Sequence, residues 1–374
     1  MRRLFVILLA LILCGCTNEY QELGYSKSET KIINSLDKAD QAFFSQNITK
    51  FYKEIFDDEN FNKDNLKTYL LFENYLPGHD VVGLVNDEII DIENYGRVKR
   101  LAECENFDVN KITDYLRIDV KYSPELVIKI INNNLENDLE FIDELYKDKM
   151  FIVDNLDLYI KYKDSKENIR DLIEFVNSKS FLTYYKEQVS AEVDKYDYLT
   201  LVNKYHYLEK DYVPNDLVDV EINYGRGQLR KEAYDAYKSM QDDANAQGFS
   251  FYITSPFRSY ETQERLYNNY LTIDPQQEVD IYSARPGSSE HQLGLALDIL
   301  KSGYDFDNFY LTPEATWLSE NSYKYGFILR YPKDKVEITG YKYEPWHFRY
   351  LGKTAEDVYM SGVTYDEYFE KYVK

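Results

Sequence analysis

Four residues carry the chemistry this chain could do: His291, Asp298, Glu344 and His347. There are only four histidines in 374 residues, and two of them fall in this set. His291 and Asp298 stand seven apart, an odd spacing that would put them on opposite faces of one continuous strand. Gly294 offers a break between them. If the chain turns there and residues 295–299 form a strand, Leu295, Leu297 and Ile299 face a core while Ala296 and Asp298 face the other way. A small residue followed by a carboxylate leaves room for an ion on that face. Glu344-Pro345-Trp346-His347 supplies a second imidazole, and Pro345 biases Glu344 towards extended backbone, so this pair belongs on a strand or loop. Two histidines and one carboxylate with an open fourth position, beside a glutamate that need not ligate, are the inventory of a hydrolytic zinc site.

These residues need a scaffold, and the second half of the chain reads as one. Residues 229–247 form an amphipathic helix with Leu229, Ala233, Tyr237, Met240 and Ala244 inward and Gly248 as its stop. Phe249, Phe251 and Ile253 alternate as one face of a strand. Ser255-Pro256-Phe257 then turns the chain so that Arg258 emerges at the strand end, before a helix over 259–270. Leu199, Leu201 and Val202 read as a further strand leading to His206, a structural residue, and Trp317 and Trp346 read as core or pocket-wall residues.

The first half reads differently. Residues 30–190 are expected to be a helical domain, because turn formers are scarce and no glycine occurs between Gly96 and Gly225. Leu126, Ile130, Ile131, Leu135, Leu139 and Ile142 make an apolar stripe after Ser123, an N-cap with Pro124 at the first helical position. Tyr25-Ser26 before Ile32-Ile33-Asn34 echoes Tyr122-Ser123 before Ile130-Ile131-Asn132, a hint of repeated short helical units. His79, after Pro77-Gly78, reads as a surface histidine. At the extreme N-terminus, Arg2 and Arg3 precede an apolar run too short to span a bilayer, so residues 1–15 are expected to be a signal segment. Leu13-Cys14-Gly15-Cys16 resembles the lipobox of bacterial lipoproteins, although Cys14 is not the usual choice there. Lipidation of Cys16 would leave residues 16–29 as a tether, Cys104 as the remaining thiol, and the protein extracytoplasmic at the membrane. Thirty-eight tyrosines and a net charge of −22 argue against nucleic-acid binding.

Several familiar patterns are incomplete. Ser28-x-x-Lys31 lacks the partner motifs of serine penicillin-binding enzymes. Gly352-Lys353-Thr354 has His347 where a phosphate loop needs glycine, and Gly225-x-Gly227 has Arg230 where a dinucleotide fingerprint needs its third.

One pattern is complete. Ser-x-His-x-x-Gly-x-Ala-x-Asp over 289–298, followed by Glu344-x-x-His347, resembles the VanY-type zinc D-alanyl-D-alanine carboxypeptidases and their L,D-carboxypeptidase relatives. Arg258 to Gln263, Ala284 to Gly287, Tyr325 to Pro332 and Trp346 to Tyr350 agree in the same order, so the resemblance runs from about Asp197 onward; the Ser-Pro-Phe before Arg258 replaces the family's common Ser-Gly-Tyr. It implies an α+β catalytic domain over 195–374, an antiparallel sheet with helices like that of these peptidases and the Hedgehog signalling domain, preceded by the helical domain. It further implies Zn2+ held by His291, Asp298 and His347, with Glu344 as general base and then acid. Arg258 would stabilise the developing oxyanion or hold the substrate carboxylate, with Gln263 and Ser289 in substrate binding. The implied substrate is a peptidoglycan stem peptide cut before its terminal D-alanine, with a D,D or an L,D bond as alternatives. A metal-free wall-binding relative and a serine acyl-enzyme are the other function classes.

Overall fold

The computed structural model describes residues 17–47 and 52–374. The expected signal segment 1–15 and Cys16 lie outside them. The chain divides into two packed units, Met1–Asp143 and Glu144–Lys374.

Among its described residues the first unit holds helices and no strand. Its helices are short, and the long stripe expected over 126–142 breaks at Asn134, whose φ is +53°. That break is one copy of a repeat. Glu88, Asn134 and Lys179 all take positive φ, and each closes a helix in the same way. The next amide reaches five residues back (Ile89 to Leu84, Leu135 to Ile130, Ser180 to Phe175), while its own amide reaches three back. A tyrosine lies upstream in every copy: Tyr69 and Tyr159 donate to Asn86 and Asn177, and Tyr115 donates to Glu136. Phe61, Phe107 and Phe151 sit against these rings at 6.0, 5.7 and 5.5 Å. Ser26 and Ser123 both cap helices, but the helix after Ser26 ends at Ser35 with φ −89° and lacks the positive-φ closure of the three copies. The third copy lies in the second unit. There Arg170, Glu174 and Lys179 pair with Glu367, Lys335 and Glu370, so the helical stretch before residue 190 ends inside the packing of the second unit.

A four-stranded antiparallel sheet centres the second unit. Strands are numbered along the chain: β1 (Val189–Ser190) pairs with β2 (His206–Tyr207), and β3 (Leu217–Ile222) pairs with β4 (Gly225–Arg230). The main sheet has β5 (Tyr252–Ser255), β6 (Ala296–Leu300), β7 (Phe327–Leu329) and β8 (His347–Tyr350) in the order β5-β6-β8-β7. Helix α1 (Lys231–Ala246) buries Ala233, Tyr237, Met240 and Ala244 in one core with Leu295, Leu297 and Ile299, as their spacing predicts. Trp317 belongs to that core. This is an α+β unit.

Two expectations are corrected. Leu229 is not helical: it is in β4 of a hairpin turned by Asn223-Tyr224, and α1 starts only at Lys231. The hairpin is mostly polar, so its alternation is weak. Leu199, Leu201 and Val202 form no strand. Their stretch begins as a 3-10 turn, Asp197–Leu199, and its carbonyls are taken by side chains instead of a ladder: Arg349 donates to those of Tyr198 and Thr200, and Tyr365 to that of Leu199.

Candidate active site

Register builds the site. Asp298 in the middle of β6 pairs with His347 at the start of β8 on one side and with Ser255 at the end of β5 on the other, across a bulge between Ile253 and Ser255. Facing residues on adjacent strands hold their side chains about 5 Å apart, so Asp298 and His347 meet without any loop having to be ordered. His291 arrives from a 3-10 turn, Glu290–Leu293, closed by Gly294 at φ +66°. A β-carbon on Gly294 would stand 2.9 Å from Leu217 and 3.1 Å from Arg230, so glycine is required for space as well as for φ.

The three predicted ligands converge. One donor atom from each of His291, Asp298 and His347 lies within 4.8 Å of the others. His291 Nε2 is 3.4 Å from Asp298 Oδ2, and His347 Nδ1 is 3.2 Å from Asp298 Oδ1. Both rings are oriented from behind. His291 Nδ1 donates to the Pro256 carbonyl at 2.7 Å, which leaves Nε2 for a metal. His347 turns Nε2 towards Glu290 at 3.5 Å, which leaves Nδ1. Asp298 Oδ1 is buried without a hydrogen-bond partner, so the residues present fit a cation: an acceptor of this kind is costly unless something electropositive meets it. Burial alone would raise the Asp298 carboxyl, and the two histidines more than reverse it, holding the group well below the usual carboxylate range.

Glu344 sits in a loop just before β8, as its proline neighbour predicts, with its amide on the Tyr331 carbonyl and a carboxylate oxygen 3.6 Å from His347 Nδ1. Burial pushes its carboxyl up to about 7, with the positive side chains around it opposing. A base poised near neutrality suits proton transfer, and a cation among the ligands would draw the value down again.

These groups line a cleft of about 520 Å³ together with Arg258, Gln263, Ser289, Phe306 and Trp346. Arg258 is clamped: one guanidinium nitrogen donates to Gln263 Oε1 at 2.5 Å and another to Ser255 Oγ at 2.8 Å. Gln263 is buried and donates in turn to the Ala284 carbonyl at 2.6 Å. Ser289 precedes the 3-10 turn and its hydroxyl makes no capping bond. Trp346 stands on the cleft wall with Phe306 at 5.0 Å. The remaining histidines are elsewhere: His79 is exposed, and His206 places Nδ1 3.0 Å from Asn203 Oδ1.

The family model described as "VanY: D-alanyl-D-alanine carboxypeptidase" matches residues 226–353. The putative carboxypeptidase YodJ of Bacillus subtilis (strain 168) is 39% identical over 226 residues, covering 57% of this chain and 83% of that protein. The chain belongs to the VanY D-alanyl-D-alanine carboxypeptidase family. A D-alanyl-D-alanine carboxypeptidase of Enterococcus faecium is 34% identical over 205 residues, 52% of this chain and 63% of its own, so the match spans less than two thirds of that relative. Among solved structures, the LD-carboxypeptidase LdcB is 39% identical with a TM-score of 0.47, covering 51% of this chain and 93% of its own. A VanY D,D-pentapeptidase variant solved with Zn(II) is 33% identical with a TM-score of 0.39, over 46% and 98%. As a VanY-family member the chain is a carboxypeptidase, a peptide hydrolase.

Sequence reasoning missed what lies behind His347. Glu290 Oε1 accepts from Arg330 at 2.8 Å and from Arg349 at 2.9 Å, and Arg330 also holds Asp366 at 2.6 Å. All four are buried. Burial would raise the Glu290 carboxyl, and Arg330 and Arg349 instead hold it well below the usual range. Its place directly before a ligand histidine was the only available signal. Glu290→Ala leaves two guanidinium groups buried without their shared acceptor. It should therefore cost roughly 3 to 5 kcal/mol of unfolding free energy in denaturant melts of the metal-free protein. A loss below about 1 kcal/mol would show that the network is not what holds this corner together.

Proposed function

We propose that this chain is a zinc-dependent D,D-carboxypeptidase that removes the terminal D-alanine from peptidoglycan stem peptides, outside the cytoplasm, on a membrane tether through lipid at Cys16. The observation that supports the bond and its position is one distance. An Arg258 guanidinium nitrogen lies 3.8 Å from Asp298 Oδ2. One residue spans about 3.8 Å from Cα to Cα. A terminal carboxylate paired with Arg258 would lie about one residue from the ligands, which supports cleavage of the last peptide bond.

Zinc held by His291, Asp298 and His347 would polarise the scissile carbonyl and make a water nucleophilic at neutral pH. The protein's own groups do the rest. Glu344 takes the proton of the attacking water and gives it to the departing amine as the C–N bond breaks, a service worth ~10² to ~10⁴ in rate. Arg258 is oriented before substrate arrives, because Gln263 and Ser255 already fix two of its nitrogens, so little ordering is left for binding to supply. Ser289 has an uncommitted hydroxyl for the same carboxylate. Phe306 and Trp346 wall the cleft.

Chelation should abolish release of D-alanine, and added zinc should restore it. Glu344→Ala should retain the metal, by elemental analysis, and lose at least about 100-fold in kcat; full turnover in that variant would remove Glu344 from the mechanism. Ser28, the alternative nucleophile, is exposed on the helix Lys27–Asn34, and no covalent penicillin adduct should form.

Amidating the C-terminus of a good substrate leaves the Arg258 cluster facing a neutral group. Each buried donor stranded in this way costs roughly 1 to 3 kcal/mol, so turnover of the amide should fall by orders of magnitude. Mass spectrometry of pentapeptide and tetrapeptide muropeptides, free and amidated, reads both points: equal cleavage of free and amidated ends would sink the carboxypeptidase reading, and cleavage of the tetrapeptide alone would make it the L,D type. Lipid labelling in cells should disappear in Cys16→Ala, and its persistence would count against the tether.

A further inference from the structure

Lys204 is the most unusual cation in the second unit. It is 2% exposed, yet no carboxylate bonds it. Its ammonium donates to two backbone carbonyls, Asp280 at 2.6 Å and Gly340 at 2.5 Å. Around it stand the rings of Tyr184 and Tyr341, each at 4.5 Å, and of Tyr185 at 5.7 Å. Holding a charge there is costly: burial draws the ammonium down to about 8, with Asp280 opposing. The Asp280 carboxylate is already taken by Arg285 and Tyr267.

The two carbonyls belong to two walls of the cleft. Asp280 lies in the helix Gln276–Tyr282, which runs into Ser283 and Ala284, the partners of Gln263. Gly340 opens the loop that ends at Glu344. Beside the lysine the same segments are tied again, by the Lys342 amide on the Ile281 carbonyl. Gly340 has φ +76°, and a β-carbon there would stand 2.9 Å from Lys204 Cδ, so the lysine fills the space that this glycine leaves. Tyr341 next carries the contact inward: its ring is 4.8 Å from that of Tyr331, and Tyr331 is 4.9 Å from the His347 ring. The preceding residue reaches the other side of the site. Asn203 Nδ2 donates to Asp366 Oδ1 at 2.8 Å, and Asp366 holds Arg330, which holds Glu290 behind His347.

We propose that Asn203-Lys204 is a positioning dipeptide, in which Lys204 fixes the loop that presents Glu344 while Asn203 braces the charged group behind His347. Neither residue touches the reacting atoms. The catalytic part rests on Glu344 being the base, as proposed above; the positioning part does not.

Lys204→Met keeps the length of the side chain and removes its donors. Hydrogen exchange of the full-length protein should show residues 340–347 losing protection by at least about tenfold while helix α1 keeps its own. Unchanged protection at 340–347 would overturn the proposal whatever the enzyme's activity. In turnover of a free-ended peptide, Lys204→Met should lower kcat by tenfold or more, leave KM within about twofold and retain the metal. The same substitution made in Glu344→Gln should cost almost nothing further, because the group it positions is already gone. An equal loss in both backgrounds would mean that Lys204 acts on stability and not on Glu344. Inactivity of the parent protein would instead refute the functional reading and leave the exchange result to decide positioning. Lys204→Gln, which keeps an amide donor, should fall between parent and Lys204→Met in exchange; if Lys204→Met does not fold, protection in Lys204→Gln equal to that of the parent overturns the proposal.

Discussion

Glu290 shared between Arg330 and Arg349 is the constraint on which the site depends. Three fully buried side chains with charges of both signs can persist in a dry interior only if each finds its partners in good geometry. The partners come from every part of the second unit: Glu290 from the turn that carries His291, Arg330 from the end of β7, Arg349 from β8, and Asp366 from the C-terminal turn. Closing this group therefore brings the His291 turn, the strand of His347 and the chain terminus together in one arrangement. Glu290 also lies 3.5 Å from Nε2 of His347, on the side away from Asp298, while a main-chain carbonyl accepts from Nδ1 of His291. The two rings consequently offer different nitrogens to the same point, from opposite sides of Asp298.

The helical repeats solve a different problem. A helix that ends in a tight reversal needs a residue at positive φ, for which glycine is the usual choice. Here Glu88, Asn134 and Lys179 stand there instead. Each accepts a backbone penalty of roughly 1 kcal/mol, offset by the tyrosine hydroxyl that binds a polar group near the helix end. Lys179 makes use of its side chain as well, pairing with Glu370. A glycine there would give up that contact.

The convergence of His291, Asp298 and His347, the loop that carries Glu344 and the strand carrying Asp298 were legible because each is fixed by local rules. Gly294 marks a break, alternation marks β6, and a proline after Glu344 excludes a helix. Helix α1 was legible from its stripe, and only its first turn was misplaced, since Leu229 is buried equally well from the end of a hairpin. What could not be read is long-range satisfaction. Nothing near Leu199 reveals that Arg349, 150 residues on, will take the carbonyls of Tyr198 and Thr200, and so a run of apolar residues that reads as a strand becomes a brace. The repeat escaped for a related reason: its signature is spread over conformations, three positive-φ caps on three different residue types, with phenylalanine, tyrosine and the asparagine that ends each helix (Asn86, Asn132, Asn177) keeping their identity.

The electrostatics of the cleft also differ from those of the molecule. A net charge of −22 gives an acidic protein a field that repels a substrate bearing carboxylates. At physiological ionic strength that field decays over about 8 Å, so it slows encounter little and guides nothing. Within the cleft, Arg258 is held in place by two hydrogen bonds. Its nearest carboxylate, Asp298, faces the ligand cluster, and its hydrogen bonds go to neutral groups, Gln263 and Ser255. The guanidinium charge is thus met by one carboxylate that also faces the ligand cluster, and by no other hydrogen-bonded acid.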